Sequence, residues 1–472
     1  MSLLDDLAAV VGSTNVLVGA DCASYETDWR KRFAGRALAV VRPGSTSEVV
    51  AVVAACRDHG GSLVAQGGNT GLVGASVPDA SGSQVVLSTA RLNKIRSVDR
   101  VNLTMTVEAG CVLQHVQEAA AAHGLLFALS LAAEGSCTIG GNLATNAGGT
   151  QVLRYGNARD LCLGIEAVTA DGRIWEGLSG LRKDNTGYDL RNLIVGSEGT
   201  LAIITAATLR LHPRPRATMT AKATLPSLAA AIELLGRAHE RLGPGLTGFE
   251  IMNEASLALV RKHFAQLRQA VGPAPWTALI EHSDLEGEAH GAAALEALLG
   301  DALERKLIGD AAVATSLEQA NAMWHVRETI PLAQVAEGSN IKHDIALPVS
   351  AIEEFVAVTD ADLARRFPGV RVIDFGHLGD GNLHYNVQPP ADADASAFAE
   401  RHEAAITRLV YDAVAARGGS ISAEHGIGAL KRDELALRKS PVALDMMRAI
   451  KAALDPAGVL NPGRVLPPAA PR

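Results

Sequence analysis

Two histidines stand seven residues apart in His377-Leu378-Gly379-Asp380-Gly381-Asn382-Leu383-His384, and a carboxylate and a further histidine are adjacent in Ser422-Ala423-Glu424-His425-Gly426-Ile427-Gly428. Two imidazoles and one carboxylate, with a coordination position left open, form a catalytic-metal donor set. Reaching one ion requires His377 and His384 to converge. A straight strand would carry them more than about 20 Å apart at roughly 3.3 Å per residue, whereas Gly-Asp-Gly reverses the chain. Glu424 is the expected third ligand. Neighbouring side chains in extended backbone point to opposite faces, so Glu424 and His425 are expected to have separate roles. Asp380 is assigned to the turn, and His59, His123, His239, His263 and His290 are read as structural histidines.

A second chemistry is written in glycine. Gln66-Gly67-Gly68-Asn69-Thr70-Gly71-Leu72-Val73-Gly74-Ala75-Ser76 follows a short apolar run, but it is not Gly-x-Gly-x-x-Gly opening a helix, and the chain contains no Gly-Lys dipeptide. A nicotinamide-binding Rossmann turn and a Walker A loop are both excluded on that ground. What remains is a cluster of backbone N–H groups able to cradle a pyrophosphate. A second loop, Glu134 to Gly149, adds five glycines and the side chains of Thr138, Asn142 and Asn146, and a third, Gly196-Ser197-Glu198-Gly199-Thr200, leads into a strand. Three such loops suit an extended dinucleotide lying across strand ends.

These groups must be carried by a large chain: 472 residues allow two or more domains and large buried cores. The charge balance, 43 basic against 51 acidic residues for a net −8 with no like-charge block, argues against a nucleic-acid or anionic-membrane surface. The longest apolar stretch, Leu125 to Ala133, falls well short of the roughly 20 residues of a membrane span, and the amino-terminal residues do not read as a secretory signal, so a cytoplasmic location is expected. The five cysteines form no Cys-x-x-Cys and read as small buried apolar residues. Ser45 ahead of Glu48 starts a helix that ends at Gly60-Gly61, Val112 to His123 is a second helix, and Ala170-Asp171-Gly172 turns a hairpin. His212-Pro213-Arg214-Pro215 marks a boundary, giving domains at 1–214, 215–418 and 419–472, the last returning to the first and carrying Glu424 and His425. Beyond the boundary, helices near 226–242, 284–306 and 397–417 alternate with strands near 277–281, 341–347 and 371–375, the pattern of an α+β domain with an antiparallel sheet.

The glycine loops resemble the FAD-binding domain of the vanillyl-alcohol-oxidase or para-cresol methylhydroxylase (PCMH) type. The stretches Asp374 to Val387, Ile421 to Gly428 and Asp455 to Gly463 resemble the D-2-hydroxyacid dehydrogenases of that superfamily, D-2-hydroxyglutarate dehydrogenase in particular. The resemblance implies an α+β chain with a PCMH-type FAD domain and a cap domain of antiparallel sheet and flanking helices. Asn69 stands where covalent members often place a histidine, which implies dissociable FAD. The cofactor would be held by Gly67, Gly68, Asn69, Thr70, Gly71, Gly74, Ser76, Glu134, Thr138, Gly140, Gly141, Asn142, Asn146, Gly148, Gly149, Gly196, Glu198, Gly199 and Asn461. It also implies a divalent metal, zinc being the expected ion, on His377, His384 and Glu424, with His425 as catalytic base. Arg327, Lys342, Asn386 and His425 would contact substrate. Pro331 departs from the pattern by standing where eukaryotic relatives carry a hydroxyl.

The expected reaction is oxidation of a D-2-hydroxy acid to the 2-oxo acid, D-2-hydroxyglutarate to 2-oxoglutarate first, with the C2 hydride passing to flavin N5 and His425 taking the hydroxyl proton. D-lactate, glycolate, D-malate or D-mandelate are the alternative substrates, and a non-catalytic flavoprotein subunit is the alternative from another class. No cysteine spacing suits an iron–sulfur cluster, so electrons must leave to an external acceptor; the resemblance favours an electron-transfer flavoprotein, with a quinone as the other option. A homodimer is expected.

Overall fold

The computed structural model describes residues 2–467, which divide into two compact units. One contains residues 2–149, 156–214 and 424–467; the other contains Thr150–Tyr155 and Pro215–Ala423. Among the described residues no helix is long and apolar enough to cross a membrane.

The first unit is built on two small sheets. In the four-stranded one, Ala37–Val41, Gln84–Ser88 and Ser62–Gln66 run parallel, with Val16–Leu17 antiparallel at the edge. Gln84–Ser88 lies in the middle and every one of its residues is buried, as expected of a parallel strand covered on both faces. The helix Thr46–Asp58 starts where Ser45 Oγ accepts the N–H of Glu48 and buries Val49, Val52, Val53 and Cys56. Residues near the carboxyl terminus join this sheet: Leu63 N–H donates to Val459 O and Asn461 N–H to Leu63 O. The five-stranded sheet is antiparallel and includes the hairpin of Cys162–Thr169 and Ile174–Gly177 across Asp171-Gly172. One element differs from the sequence reading. Glu134 to Gly149 is not glycine loop throughout, because Ile139–Thr145 forms a short helix with Gly140 and Gly141 in its first turn.

The second unit is a seven-stranded antiparallel sheet, in spatial order Ala311–Val313, Ala217–Leu225, Trp276–Asp284, Leu246–Asn253, Arg371–His377, Asn382–Gln388 and Asp344–Ala346. Alternate residues serve two cores. Ala221, Phe249, Ile251, Ile280, Leu383 and Tyr385 pack under four helices including Leu228–Leu242 and Ala395–Ala416. Met252, Leu279, Ile373 and Phe375 face the helices Glu254–His263 and Leu317–Glu337. The 21-residue helix Leu317–Glu337 escaped the sequence reading because Pro331 lies inside it. It nevertheless buries Met323, Val326, Ile330 and Ala333 at helical spacing.

Candidate functional site

In the first unit the glycine loops border a cleft lined by Gly67, Ser76, Gly140, Gly141, Glu198 and Gly199 among others. The loops back against one another at close range. A Cβ at Gly68 would lie 1.9 Å from Ser136 O, so no other residue fits there without moving backbone. Ser197 Oγ, which borders the cleft, and Thr138 Oγ1, which lies against Gly67 and Gly141, are buried without protein hydrogen-bond partners. Buried polar atoms of this kind need a partner. Orphaned hydroxyls beside a cradle that side chains would fill suit the phosphates and ring heteroatoms of a flavin dinucleotide.

Asn69, Asn146, Glu198 and Asn461 all adopt left-handed backbone, with φ of 52°, 53°, 53° and 44°. Asparagine tolerates that region through local hydrogen bonding. Asn69 donates to Thr27 O and accepts from Ser76 Oγ, and Asn461 donates to Glu198 O and Ala75 O. Other predicted cofactor residues have protein neighbours of their own: Glu134 accepts from Gln117, Asn146 from Arg159 N–H, and a Cβ at Gly74 would meet the Phe33 ring. Gly149 N–H donates to Glu424 Oε1, and Gly148 faces the same carboxylate. Of the other lining residues, Gln66, Ala144 and Thr145 lie within the glycine-loop stretches but were not assigned to the cofactor, and Thr89 and Ile194 lie outside those stretches, where nothing in their types marks them.

Glu198, which lines the cleft, also braces a second segment. Its two carboxylate oxygens accept the N–H groups of Ile427 and Gly428, both at 2.7 Å, which ties the chain just after His425 to the third glycine loop. Burial pushes its carboxyl up from the ordinary value of 4.5, and the two N–H donors only partly oppose that. The same segment is strapped to the first loop, where Ala429 and Leu430 donate to Val73 O. A Cβ at Gly428, already at φ +51°, would come within 2.3 Å of that carbonyl.

In the second unit the sheet register assembles the polar groups. Glu250 lies opposite His377, Phe375 opposite His384, and His384 opposite Asp344. Cross-strand partners share a face, as do residues two apart on one strand, so Glu250, His377, His384 and Asp344 all lie on the face covered by Leu317–Glu337. The turn Leu378–Asp380 reverses the chain, Asp380 Oδ1 accepting the N–H of Asn382, and the His377 and His384 rings come to 5.6 Å between centroids at 75°. His377 Nδ1 bonds Glu250 Oε1, and Arg327 Nε donates to Glu250 Oε2 at 2.6 Å. Burial would raise the Glu250 carboxyl, but the Arg327 guanidinium and the His377 ring outweigh it and hold the carboxyl at about 2. Arg327 is 7% exposed, stacks at 5.1 Å over the Phe375 ring, and leaves Nη2 buried without a protein partner. A guanidinium so placed can grip an anion.

Asn386 Oδ1 accepts His343 N–H and its amide donates to Gln334, which joins it to the framework around Lys342. Lys342 is half-buried between Ile341, which pairs with Val387, and His343. Ala423 N–H reaches Asp344 O at 3.4 Å, Asp344 being the strand partner of His384. Glu250 and Asp344 were missed by the sequence reading; their strands bring them beside the histidines from more than a hundred and about forty residues away in sequence.

A model described as FAD binding domain matches residues 37–177, and one described as FAD linked oxidases, C-terminal domain, matches 214–465. The chain is 39% identical over 468 residues to a mitochondrial D-2-hydroxyglutarate dehydrogenase of Bos taurus, covering 98% of this chain and 84% of that protein. It is also 39% identical over 448 residues to a D-2-hydroxyglutarate dehydrogenase of Xanthomonas citri pv. viticola, covering 94% and 93%. Among solved structures, p-cresol methylhydroxylase with substrate bound superposes with TM-score 0.78 at 18% identity, covering 100% of this chain and 97% of that one. The 4-ethylphenol oxidase of Gulosibacter chungangensis gives 0.77 at 18% identity, covering 99% and 97%. With the glycine cradle and its orphaned hydroxyls, these likenesses establish that the chain belongs to the FAD-linked oxidases and is an FAD-dependent oxidoreductase of the PCMH-type fold.

Proposed function

We propose that the enzyme oxidises a D-2-hydroxy acid to its 2-oxo acid, with D-2-hydroxyglutarate as the substrate, non-covalent FAD as the cofactor and a divalent metal, zinc, on His377, His384 and Glu424. The observation that carries this reading is the shared sheet face that brings two imidazoles beside an arginine with a buried, unpartnered Nη2. Such a face suits a small acid bearing a carboxylate and a neighbouring hydroxyl. The relatives named as D-2-hydroxyglutarate dehydrogenases support the choice of substrate.

Arg327 binds a substrate carboxylate through its unpartnered Nη2, and Lys342 adds a cation for the same or a second carboxylate. A bound divalent ion supplies Lewis-acid polarisation of the C2 hydroxyl. His425 takes the hydroxyl proton. Glu198 holds the backbone that follows His425, so the imidazole has a fixed origin. The bound flavin supplies the two-electron acceptor for the C2 hydride. Reoxidation by an electron-transfer flavoprotein or a quinone, a cytoplasmic location and a homodimer belong to the same reading.

One observation favours a second substrate within the class. Pro331 lies one helical turn beyond Arg327 and is half-buried, presenting a ring with no donor where a second carboxylate would be bound. D-lactate, which carries no second carboxylate, fits that position better. Anaerobic mixing with D-2-hydroxyglutarate, D-malate, D-lactate and D-mandelate decides between them. Fastest bleaching of the flavin by D-2-hydroxyglutarate supports the first reading, fastest bleaching by D-lactate the second, and no bleaching by any hydroxy acid refutes both in favour of a non-catalytic flavoprotein.

A further inference from the structure

Glu250 is 0% exposed, and each of its oxygens is taken by a different residue of the substrate-side machinery, Oε1 by His377 Nδ1 and Oε2 by Arg327 Nε. We propose that Glu250 is a positioning residue that fixes His377 for metal binding and Arg327 for carboxylate binding together, so that affinity for the ion and for the substrate depends on one buried side chain. The inference rests on the reading of His377 as a metal ligand.

An ionised carboxylate only accepts hydrogen bonds. His377 Nδ1 faces Glu250 Oε1, so a hydrogen bond to the carboxylate puts the proton on Nδ1 and the lone pair on Nε2. That is the tautomer needed for coordination through Nε2, and a carboxylate behind a metal-binding histidine raises its basicity while fixing its plane. The geometry is imposed by the sheet, because Glu250 and His377 are direct cross-strand partners and the Glu250 strand is flanked by neighbours on both sides. On the other oxygen, Arg327 is held at Nε by Glu250 and along its plane by the Phe375 ring, and its buried Nη2 has no protein partner. The neighbouring buried acid cannot replace Glu250: the Glu281 carboxylate is already engaged by Thr247 Oγ1 at 3.0 Å and by Trp324 Nε1 at 3.0 Å. Each group that Glu250 touches therefore loses a charged, preorganised partner when it is changed, and no second acid takes over.

The test is Glu250→Gln in the flavin-loaded enzyme, stripped with chelator and titrated with Zn2+. Gln keeps the size and removes the charge. Zn2+ affinity is expected to fall about 10- to 100-fold, the usual effect of losing a carboxylate behind a metal-binding histidine. At saturating Zn2+ the KM for D-2-hydroxyglutarate should still rise about tenfold or more, from loosened Arg327, while flavin content stays at the wild-type level. Wild-type Zn2+ affinity in Glu250→Gln, or a wild-type KM once the ion is saturating, overturns the proposal and leaves the metal reading standing. If the wild-type enzyme itself takes up no Zn2+, the metal reading fails, and the proposal with it. A measurement that needs no variant guards against misfolding: ¹⁵N spectra of the wild-type enzyme must show His377 as the Nδ1–H tautomer, and the Nε2–H tautomer contradicts the assignment.

Discussion

The two units hold their functional groups by opposite means. In the cofactor unit the work is done by main chain: glycines that let loops touch, left-handed residues such as Asn69 and Asn461, and carbonyls such as Val73 O that receive N–H groups from other segments. In the substrate unit it is done by buried side-chain charge on strands, Glu250 between His377 and Arg327 and Glu281 between Thr247 and Trp324. A cradle of backbone suits a cofactor that must be gripped along its whole length. A network of fixed charges suits a small acid whose carboxylate and hydroxyl must be oriented to within a fraction of an ångström. The first kind of site fails by steric exclusion and the second by loss of a charge, so the two can be broken separately.

The largest effect should come from His425→Ala, which removes the proposed base and leaves both supports in place. Turnover should drop by about 10²- to 10⁴-fold, with flavin and metal content unchanged; turnover within threefold of wild type refutes the base assignment. Gly68→Ala attacks the cradle. Its Cβ would stand 1.9 Å from Ser136 O, so backbone must move, and purified protein should carry little flavin while Zn2+ uptake persists. Full flavin content in that variant would show that the loops are not packed as described.

Two smaller changes probe charge in the substrate unit away from the site. Lys222 is 1% exposed, its ammonium has no protein partner, and burial pushes it down to about 8 from 10.5. Because the folded value is the lower one, the charged form favours the unfolded chain: the penalty is complete below pH 8 and disappears above the unfolded value. Lys222→Met should therefore stabilise the protein at pH 7 by roughly 2–4 kcal/mol, at about 1.4 kcal/mol per pH unit, and by much less near pH 11. Equal or lower stability at pH 7 in chemical denaturation contradicts this. Glu337 is the reverse case. Burial opposes its ionisation, but Lys262, His263 and Arg371 surround it and hold it at about 2 instead of 4.5. A depressed carboxyl stabilises above its unfolded value and loses that contribution as pH falls toward the folded value. Glu337→Gln should cost about 1–3 kcal/mol at pH 7, and the difference from wild type should shrink between pH 4.5 and 2. A difference that stays constant across that window would rule out the ion cluster as its cause.

What could be read from the sequence follows the same division. The Ser45 cap, the Asp171-Gly172 hairpin, the glycine clusters and the reversing Gly-Asp-Gly between His377 and His384 are local patterns with local physical causes, and each was legible. Gly140 and Gly141 misled, because residues poor at forming helix interiors can still open one when a ligand must approach the first turn. Leu317–Glu337 was hidden by Pro331, though its buried stripe at Met323, Val326, Ile330 and Ala333 was there to find. Glu250 and Asp344 had no local signal. They join the histidines only through strand register, which depends on the tertiary packing of the whole sheet.

The most direct test of the account is anaerobic mixing of D-2-hydroxyglutarate with flavin-loaded enzyme, either EDTA-stripped or Zn2+-replete, following the flavin absorbance. The account predicts rapid bleaching in the replete enzyme, none in the stripped enzyme until Zn2+ is restored, and none with the L enantiomer. Bleaching of the stripped enzyme at the replete rate would contradict it.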